Sequence, residues 1–256
     1  MMAGLDPAFR HLPVAHRALH DAALGRPENS LAAVRAAVAA GYAIEVDLQP
    51  SADGVPMVFH DYDLRRMTGA GGRVRAHSAA ELSALSLLGT DEGIPTLDQL
   101  LETVAGKVPL LIELKDQEGA MAPSDGLLER RSAEILSRYR GPLAVMSFSP
   151  AAIAAFRPGA PDVAVGLTTS AYTAADWPLI PAKTRERLRD IPDYEPLGCS
   201  FVSHEAIDLG SPRIAALKAA GAAILCWTIR SPEEEAGARA VADNITFEGY
   251  RPVVSA

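Results

Sequence analysis

The 256-residue sequence predicts an α/β chain folded as a (β/α)8 TIM barrel with a small insertion after the second strand. Three observations lead there. Apolar runs suited to buried strands alternate with helix patterns, the runs starting at Pro13, Ala43, Val108, Leu143, Val163, Ser200, Ala223 and Asn244. Eight parallel strands in a chain of this length close into a barrel. Charged residues gather at the C-terminal ends of the early runs, where a parallel barrel presents its functional groups. No GxGxxG follows the first run, which weighs against a doubly wound dinucleotide fold.

Taken in order, 12–15 is a short apolar run that stops at His16-Arg17. A loop through His20-Asp21, Gly25 and Pro27 leads to a helix over Leu31–Ala40, with Asn29 or Ser30 as N-cap and Gly41 as its left-handed stop. Gly41 runs straight into the strand Ile44-Glu45-Val46-Asp47-Leu48. Asp53-Gly54 is a tight hairpin signal that returns the chain through 55–59 to His60-Asp61. Residues 61–95 break the rhythm. Their Gly69-Ala70-Gly71-Gly72 lacks the Lys-Ser/Thr and the strand-to-helix setting of a phosphate loop, so it reads as a turn in an inserted surface segment, followed by a helical patch at 79–85. Thr96 caps a helix over 97–105, and 108–115 is a buried strand charged only at its exit, by Glu113 and Lys115.

From there the alternation is regular. A helix over 126–140 precedes a strand at 143–148, and a helix over Pro150–Phe156 precedes one at 163–168. A polar segment with Trp177 and the basic helix 183–189, a solvated face, precedes a strand at 200–203. Helix 212–220 then precedes Ala223–Ile229, and helix 232–241 precedes Asn244–Phe247. Residues 1–256 thus read as a single domain with 61–95 inserted.

Composition excludes several classes. A formal net charge of −8 argues against nucleic acid as the main partner, because such binding rests on clustered Lys and Arg. Cys199 and Cys226 lie in apolar runs without CxxC spacing, so they read as buried free thiols. The start, MMAGLDPAFRHLPVAHR, has no charged-then-apolar signal pattern, and no run reaches membrane-span length, which points to the cytoplasm and to no stable membrane insertion. The expected partner is a small molecule.

The candidate site emerges from the acidic strand. Side chains alternate along a strand, so Glu45 and Asp47 share one face while Ile44, Val46 and Leu48 share the other. Two neighbouring acids can simply face solvent; buried, they call for a hard cation with oxygen ligands. The hairpin delivers His60 close by. In a barrel, His16, Arg17, Glu45, Asp47, Glu113 and Lys115 all sit at strand exits and converge on one mouth. His11 and His77 read as surface histidines. His20 and His204 follow strands one and six at the mouth and are possible pocket residues, and Trp227 is either barrel packing or a pocket wall.

The ordered set His16-Arg17, Pro27-Glu28-Asn29-Ser30, Glu45-x-Asp47, Asp53-Gly54 with Val58-Phe59-His60-Asp61, Leu64-x-Arg66-x-Thr68, Ile94-Pro95-Thr96-Leu97, Glu113-Leu114-Lys115 and Trp227-Thr228 resembles the glycerophosphodiester phosphodiesterase family over residues 13 to 230. Two positions depart from that pattern: Ala18 stands where the family has the glycine of HRG, and Ile245-Thr246-Phe247-Glu248 replaces ITD-x-P. The resemblance implies a barrel with the insertion noted above, a divalent metal, Mg2+ or Ca2+, and hydrolysis of a glycerophosphodiester to sn-glycerol 3-phosphate and an alcohol. It implies His16 and His60 as catalytic residues, Glu45, Asp47 and Glu113 as metal ligands, and Arg17 and Lys115 as phosphate contacts. These residue types suit the reaction. A phosphodiester monoanion repels an attacking oxygen unless cations neutralise it, and a pair of histidines can supply the base and the acid. Two other readings are a phosphodiesterase of the lysophospholipase D type, disfavoured by the lack of a membrane-docking stretch, and a non-catalytic binding barrel, disfavoured by the full set of histidines and carboxylates.

Overall fold

The computed structural model describes residues 3–117, 121 and 125–254. In chain order its helices and strands are α1 (Ala8–His11), β1 (Val14–Ala15), α2 (Leu31–Ala40), β2 (Ala43–Pro50), β3 (Pro56–Val58), α3 (Arg65–Thr68), α4 (Ala79–Ala84), α5 (Leu97–Val104), β4 (Leu110–Leu114), α6 (Leu127–Leu136), β5 (Leu143–Ser147), α7 (Pro150–Phe156), β6 (Ala164–Thr169), α8 (Ala182–Arg189), β7 (Phe201–Glu205), α9 (Pro212–Ala219), β8 (Ala223–Ile229), α10 (Pro232–Ala238) and β9 (Asn244–Phe247). Strand order β1-β9-β8-β7-β6-β5-β4-β2, with β1 also pairing β2, is a closed ring of eight parallel strands: a TIM barrel. No helix among the described residues is long and apolar enough to cross a membrane.

The strand runs expected from sequence are all present; the helices differ mainly at their ends. Helix α6 stops at Leu136 rather than 140, and α10 at Ala238 rather than 241, just past Gly237, whose missing side chain lowers helix propensity. The short α1 was not expected, since four residues carry no periodicity. It has a clear job. Its Phe9 is fully buried among Val14, Ala43, Leu111, Phe201 and Leu225, closing the end of the barrel opposite the mouth. The Asn244 amide holds it there, donating to the carbonyls of Phe9 and Leu12 at 2.7 Å each. Within the same layer Gly166 lies beside Phe201: a Cβ on Gly166 would stand 2.6 Å from the ring.

Outside the barrel, Ile44, Val46, Leu48, Ile112 and Leu114 pack against Ala33, Val34 and Ala37 of α2 and Leu97 and Leu100 of α5. Both helices are well started. Ser30 accepts from the Ala33 N–H, and Thr96 and Gln99 form a reciprocal capping box. Residues between β3 and α5 bury Phe59, Leu64, Val74, Leu82, Leu87 and Ile94 in a cluster of their own, at about 1.5–3 kcal/mol per side chain, enough to hold this segment as a packed unit at the mouth. Cys199 and Cys226 are free and buried, and burial pushes each thiol up to about 12, so both stay protonated and inert.

The register explains how the hairpin reaches the mouth. Strand β1 covers β2 only at Ala43 and Ile44, while antiparallel β3 pairs farther along, at Leu48, Gln49 and Pro50. A longer first strand would compete for that stretch. Because β1 stops at Ala15, the chain can turn back at Gly54, which has φ 79°, and deliver His60 beside the ends of the barrel strands.

Candidate functional site

Glu45 and Asp47 lie on the inner face of β2, and the parallel register sets Asp47 directly beside Glu113 on β4. One oxygen from each of the three carboxylates lies within 4.8 Å of the other two, and all three residues are buried. Their environments differ. Among the described residues Glu45 receives only the Arg17 backbone N–H, at 2.8 Å, and burial, followed by the charges of Asp47 and Glu113, drives its carboxyl well above the usual carboxylate range. Burial alone would raise Asp47 too, but Lys115, His60 and Arg17 hold it below that range. Lys115 bridges the pair, its Nζ 2.7 Å from Glu113 and 3.5 Å from Asp47; burial would lower its pKa and these carboxylates raise it. Three buried oxygen donors, one of them unable to ionise cheaply, fit a hard divalent cation by donor chemistry and charge.

Asn29 belongs to this group. Sequence allowed either Asn29 or Ser30 as the cap of α2; Ser30 takes that role, and Asn29, at φ 58°, turns inward to donate to the Asp47 carboxylate at 3.0 Å and accept from its backbone N–H at 3.3 Å. Arg17 and Ala18 also adopt left-handed backbone, φ 51° and 65°. For non-glycine residues this costs about 1–2 kcal/mol each, a strain that marks a position held for a purpose. It aims the Arg17 N–H at Glu45 and sets the guanidinium against Glu28 at 2.9 Å, with Nε 3.8 Å from Asp47. That Nε–H is buried without a hydrogen-bond acceptor among the described residues, as suits a donor waiting for an anionic oxygen.

Each histidine at the mouth is oriented by a carboxylate. His16 Nδ1 lies 2.6 Å from Glu248 and His60 Nδ1 2.8 Å from Asp61, so in each ring the carboxylate engages Nδ1 rather than Nε2. Burial lowers the His16 pKa, partly offset by the Glu248 hydrogen bond, so the ring is neutral near pH 7. The hydrogen bond from His16 holds Glu248 ionised. Asp61 is braced by Arg66 at 2.6 Å, and Arg66 also bonds Glu28 at 2.6 and 2.8 Å; a continuous ionic chain thus runs from His60 to Arg17. Sequence reading did not assign Glu248, Asp61, Glu28 or Arg66 a role. Their signal was faint: an acid just past the last strand, and motif residues with no chemistry of their own.

His16, Arg17, Glu45, Asp47, His60, Glu113, Lys115 and Trp227 line one cavity of about 190 Å3, roughly the volume of six waters. His20 lines a different cavity, of about 380 Å3, with Arg26 and Tyr250, and its Nε2 is 3.7 Å from Glu248. His204 is 2 % exposed, hydrogen-bonded to Thr169 at 2.7 Å and Asp208 at 3.1 Å, and lines neither cavity. A strand-end histidine can thus be spent on packing.

The sequence model of the Glycerophosphoryl diester phosphodiesterase family matches residues 16–244. Glycerophosphodiester phosphodiesterase 1 of Rattus norvegicus is 31% identical over 175 residues, 64% of this chain and 50% of that one, so the chain spans half the length of this relative. Among solved structures, an Oleispira antarctica phosphodiesterase in complex with the product sn-glycerol-3-phosphate superposes with a TM-score of 0.72 at 28% identity, covering 93% of this chain and 92% of that chain. A glycerophosphodiester phosphodiesterase from Thermotoga maritima, 22% identical over 93% of this chain and 94% of that chain, shares the fold at a TM-score of 0.69.

Proposed function

Because the chain belongs to the Glycerophosphoryl diester phosphodiesterase family, we propose that it hydrolyses glycerophosphodiesters to sn-glycerol 3-phosphate and an alcohol. The observation that carries this reading is the meeting, in one small cavity, of three buried carboxylates, an orphaned Arg17 donor and two histidines each tied to a carboxylate. The product bound in the Oleispira relative supports the same chemistry here. In this reading residues 1–256 form one barrel domain, and the inserted segment 61–95 supplies Asp61 and Arg66.

Glu45, Asp47 and Glu113 would hold a divalent cation, Mg2+ or Ca2+, which when bound supplies charge neutralisation at the non-bridging phosphate oxygens. Arg17 donates to the phosphate through the Nε–H left free in the site, and Lys115 adds a second positive charge. His16, kept neutral by burial, takes the proton from the attacking water through Nε2. The water oxygen bonds phosphorus as the bond to the leaving alcohol breaks, and His60 gives its Nε2 proton to that alkoxide. Glu248 accepts from His16 Nδ1–H and so leaves Nε2 unprotonated to act as the base, whereas His60, whose Nδ1–H Asp61 accepts, carries a second proton on Nε2 when it acts as the acid, and Asp61 balances that charge.

The test is release of glycerol 3-phosphate from glycerophosphocholine and glycerophosphoinositol, measured with Mg2+, with Ca2+ and with chelator. Chelation should abolish release, and His16→Ala and His60→Ala should each lower turnover by about 10²–10⁴-fold with the fold intact. Chelator-insensitive release, or near-wild-type turnover in either variant, would refute the reading.

A further inference from the structure

Beside the catalytic cavity opens a larger one of about 720 Å3, which shares with it His60, Glu113, Lys115, Phe148 and Trp227. The hydrolytic steps use none of its outer wall. That wall has two characters at once. Its apolar part joins the aliphatic Leu179 and Ile180 to an aromatic group, in which Phe148 packs against Trp177 at a centroid distance of 5.0 Å and against Trp227 at 5.5 Å. Both indoles are fixed, Trp177 Nε1 donating to Ser170 Oγ at 3.0 Å and Trp227 Nε1 to the Ser203 carbonyl at 3.1 Å, so these walls stand ready before anything binds. Its polar part is acidic. Asp63, Asp116 and Asp176 line the cavity, and among the described residues no cation pairs with any of them. Asp116 is 8 % exposed, and its carboxylate accepts from the Met121 backbone N–H at 3.0 Å.

We propose that this cavity binds the leaving alcohol of the diester, and that the alcohol carries an ammonium group. The proposal rests on the hydrolytic reading above. An organic cation satisfies both halves of the wall: its charge would sit against Trp177 and Trp227 and face carboxylates that have no cationic partner among the described residues, while its methyl or methylene groups cover apolar surface. An acyl chain would use the apolar half and strip water from Asp116 without a compensating charge. A neutral polyol would meet aromatic faces that offer it few hydrogen bonds. Phe148 and Trp227 border both cavities, so a diester whose phosphate lies by Glu113 and Lys115 would send its alcohol side this way.

The chain has two tryptophans and both line this cavity, so intrinsic fluorescence reports on it directly. Choline and tetramethylammonium should perturb the emission saturably, with inositol and NaCl at matched ionic strength inert, and Asp116→Asn should weaken the response. In turnover, Trp177→Ala should lower kcat/KM for glycerophosphocholine about tenfold and leave glycerophosphoinositol within about twofold. Equal losses on both diesters, no saturable fluorescence response, or a loss confined to lysophosphatidylcholine would overturn the proposal, the last by assigning the wall to an acyl chain. A saturable response without hydrolysis of any diester would uphold the ammonium site and overturn the hydrolytic reading instead.

Discussion

Glu248→Gln removes one charge and almost no volume beside His16. The carboxylate lies 2.6 Å from His16 Nδ1, and the side chains of the pair are 17% and 21% exposed. A hydrogen bond to a charged group contributes about 1.5–3 kcal/mol and a neutral one about 1 kcal/mol, so after a discount for partial exposure the protonated imidazole loses about 1 kcal/mol. Arg230, 59% exposed, also loses its partner at 2.7 Å, which adds little. Burial already lowers the His16 pKa and Glu248 pulls it back up, so the substitution lowers it further. His16 must be neutral to accept a proton. The acid limb of kcat/KM therefore moves to lower pH, while the plateau falls about fivefold because the imidazolium formed during the step is less stabilised. The assay is glycerol 3-phosphate release from about pH 5 to pH 9. An acid limb that stays in place with an unchanged plateau would refute a role through His16.

Cation binding should also be visible without turnover. At about 100 times its dissociation constant a divalent cation adds about 2.7 kcal/mol, a rise in Tm of about 5–10 °C, and Glu113→Gln should lose most of it; an unchanged Tm in the wild type would remove the metal assignment. Asn29→Ala deletes both bonds that orient Asp47 and should weaken cation affinity about 10–100-fold in the same titration, whereas unchanged affinity would return Asn29 to a purely local role. Gly166→Ala forces a methyl to 2.6 Å from the buried Phe201 ring and should cost about 1–3 kcal/mol in urea denaturation. A neutral result would mean that the barrel floor can reshape around Phe201.

The barrel was legible because parallel strands buried on both faces read as plain apolar runs, and each run here is bounded by a cap, a glycine or a charge. Glu45 and Asp47 stood out for the opposite reason: two acids at strand spacing among aliphatics have no packing explanation. Glu248 and Asn29 were hidden because their partners are 232 and 18 positions away, and nothing local distinguishes an orienting carboxylate or amide from an ordinary loop residue or helix cap. The aromatic wall was legible only in part, through Trp227, which reads as barrel packing or a pocket wall and lines both cavities. Phe148, Trp177 and Trp227 come from three separate segments, and only ring closure brings them together. Histidine at a strand exit proved an ambiguous mark, since His16 and His204 share the sequence pattern and differ in whether Glu248 or Thr169 and Asp208 receive the ring.

Strand β1 joins the barrel through two residues, Val14 and Ala15, each paired to one residue on either side. Few ladder hydrogen bonds hold this seam, so its amides are expected to exchange through local opening before global unfolding. His16 and Arg17 are the next two residues along. Fraying there would carry them out of reach of Glu248 and Glu45, so a phosphate-bearing ligand that bridges Arg17 and the carboxylate set would act as a clasp and slow exchange at the His16 and Ala18 amides, bonded to Phe247 and Glu45 at 2.9 Å each. The narrowness that lets the hairpin reach the mouth would thus also make the mouth the place where the barrel breathes.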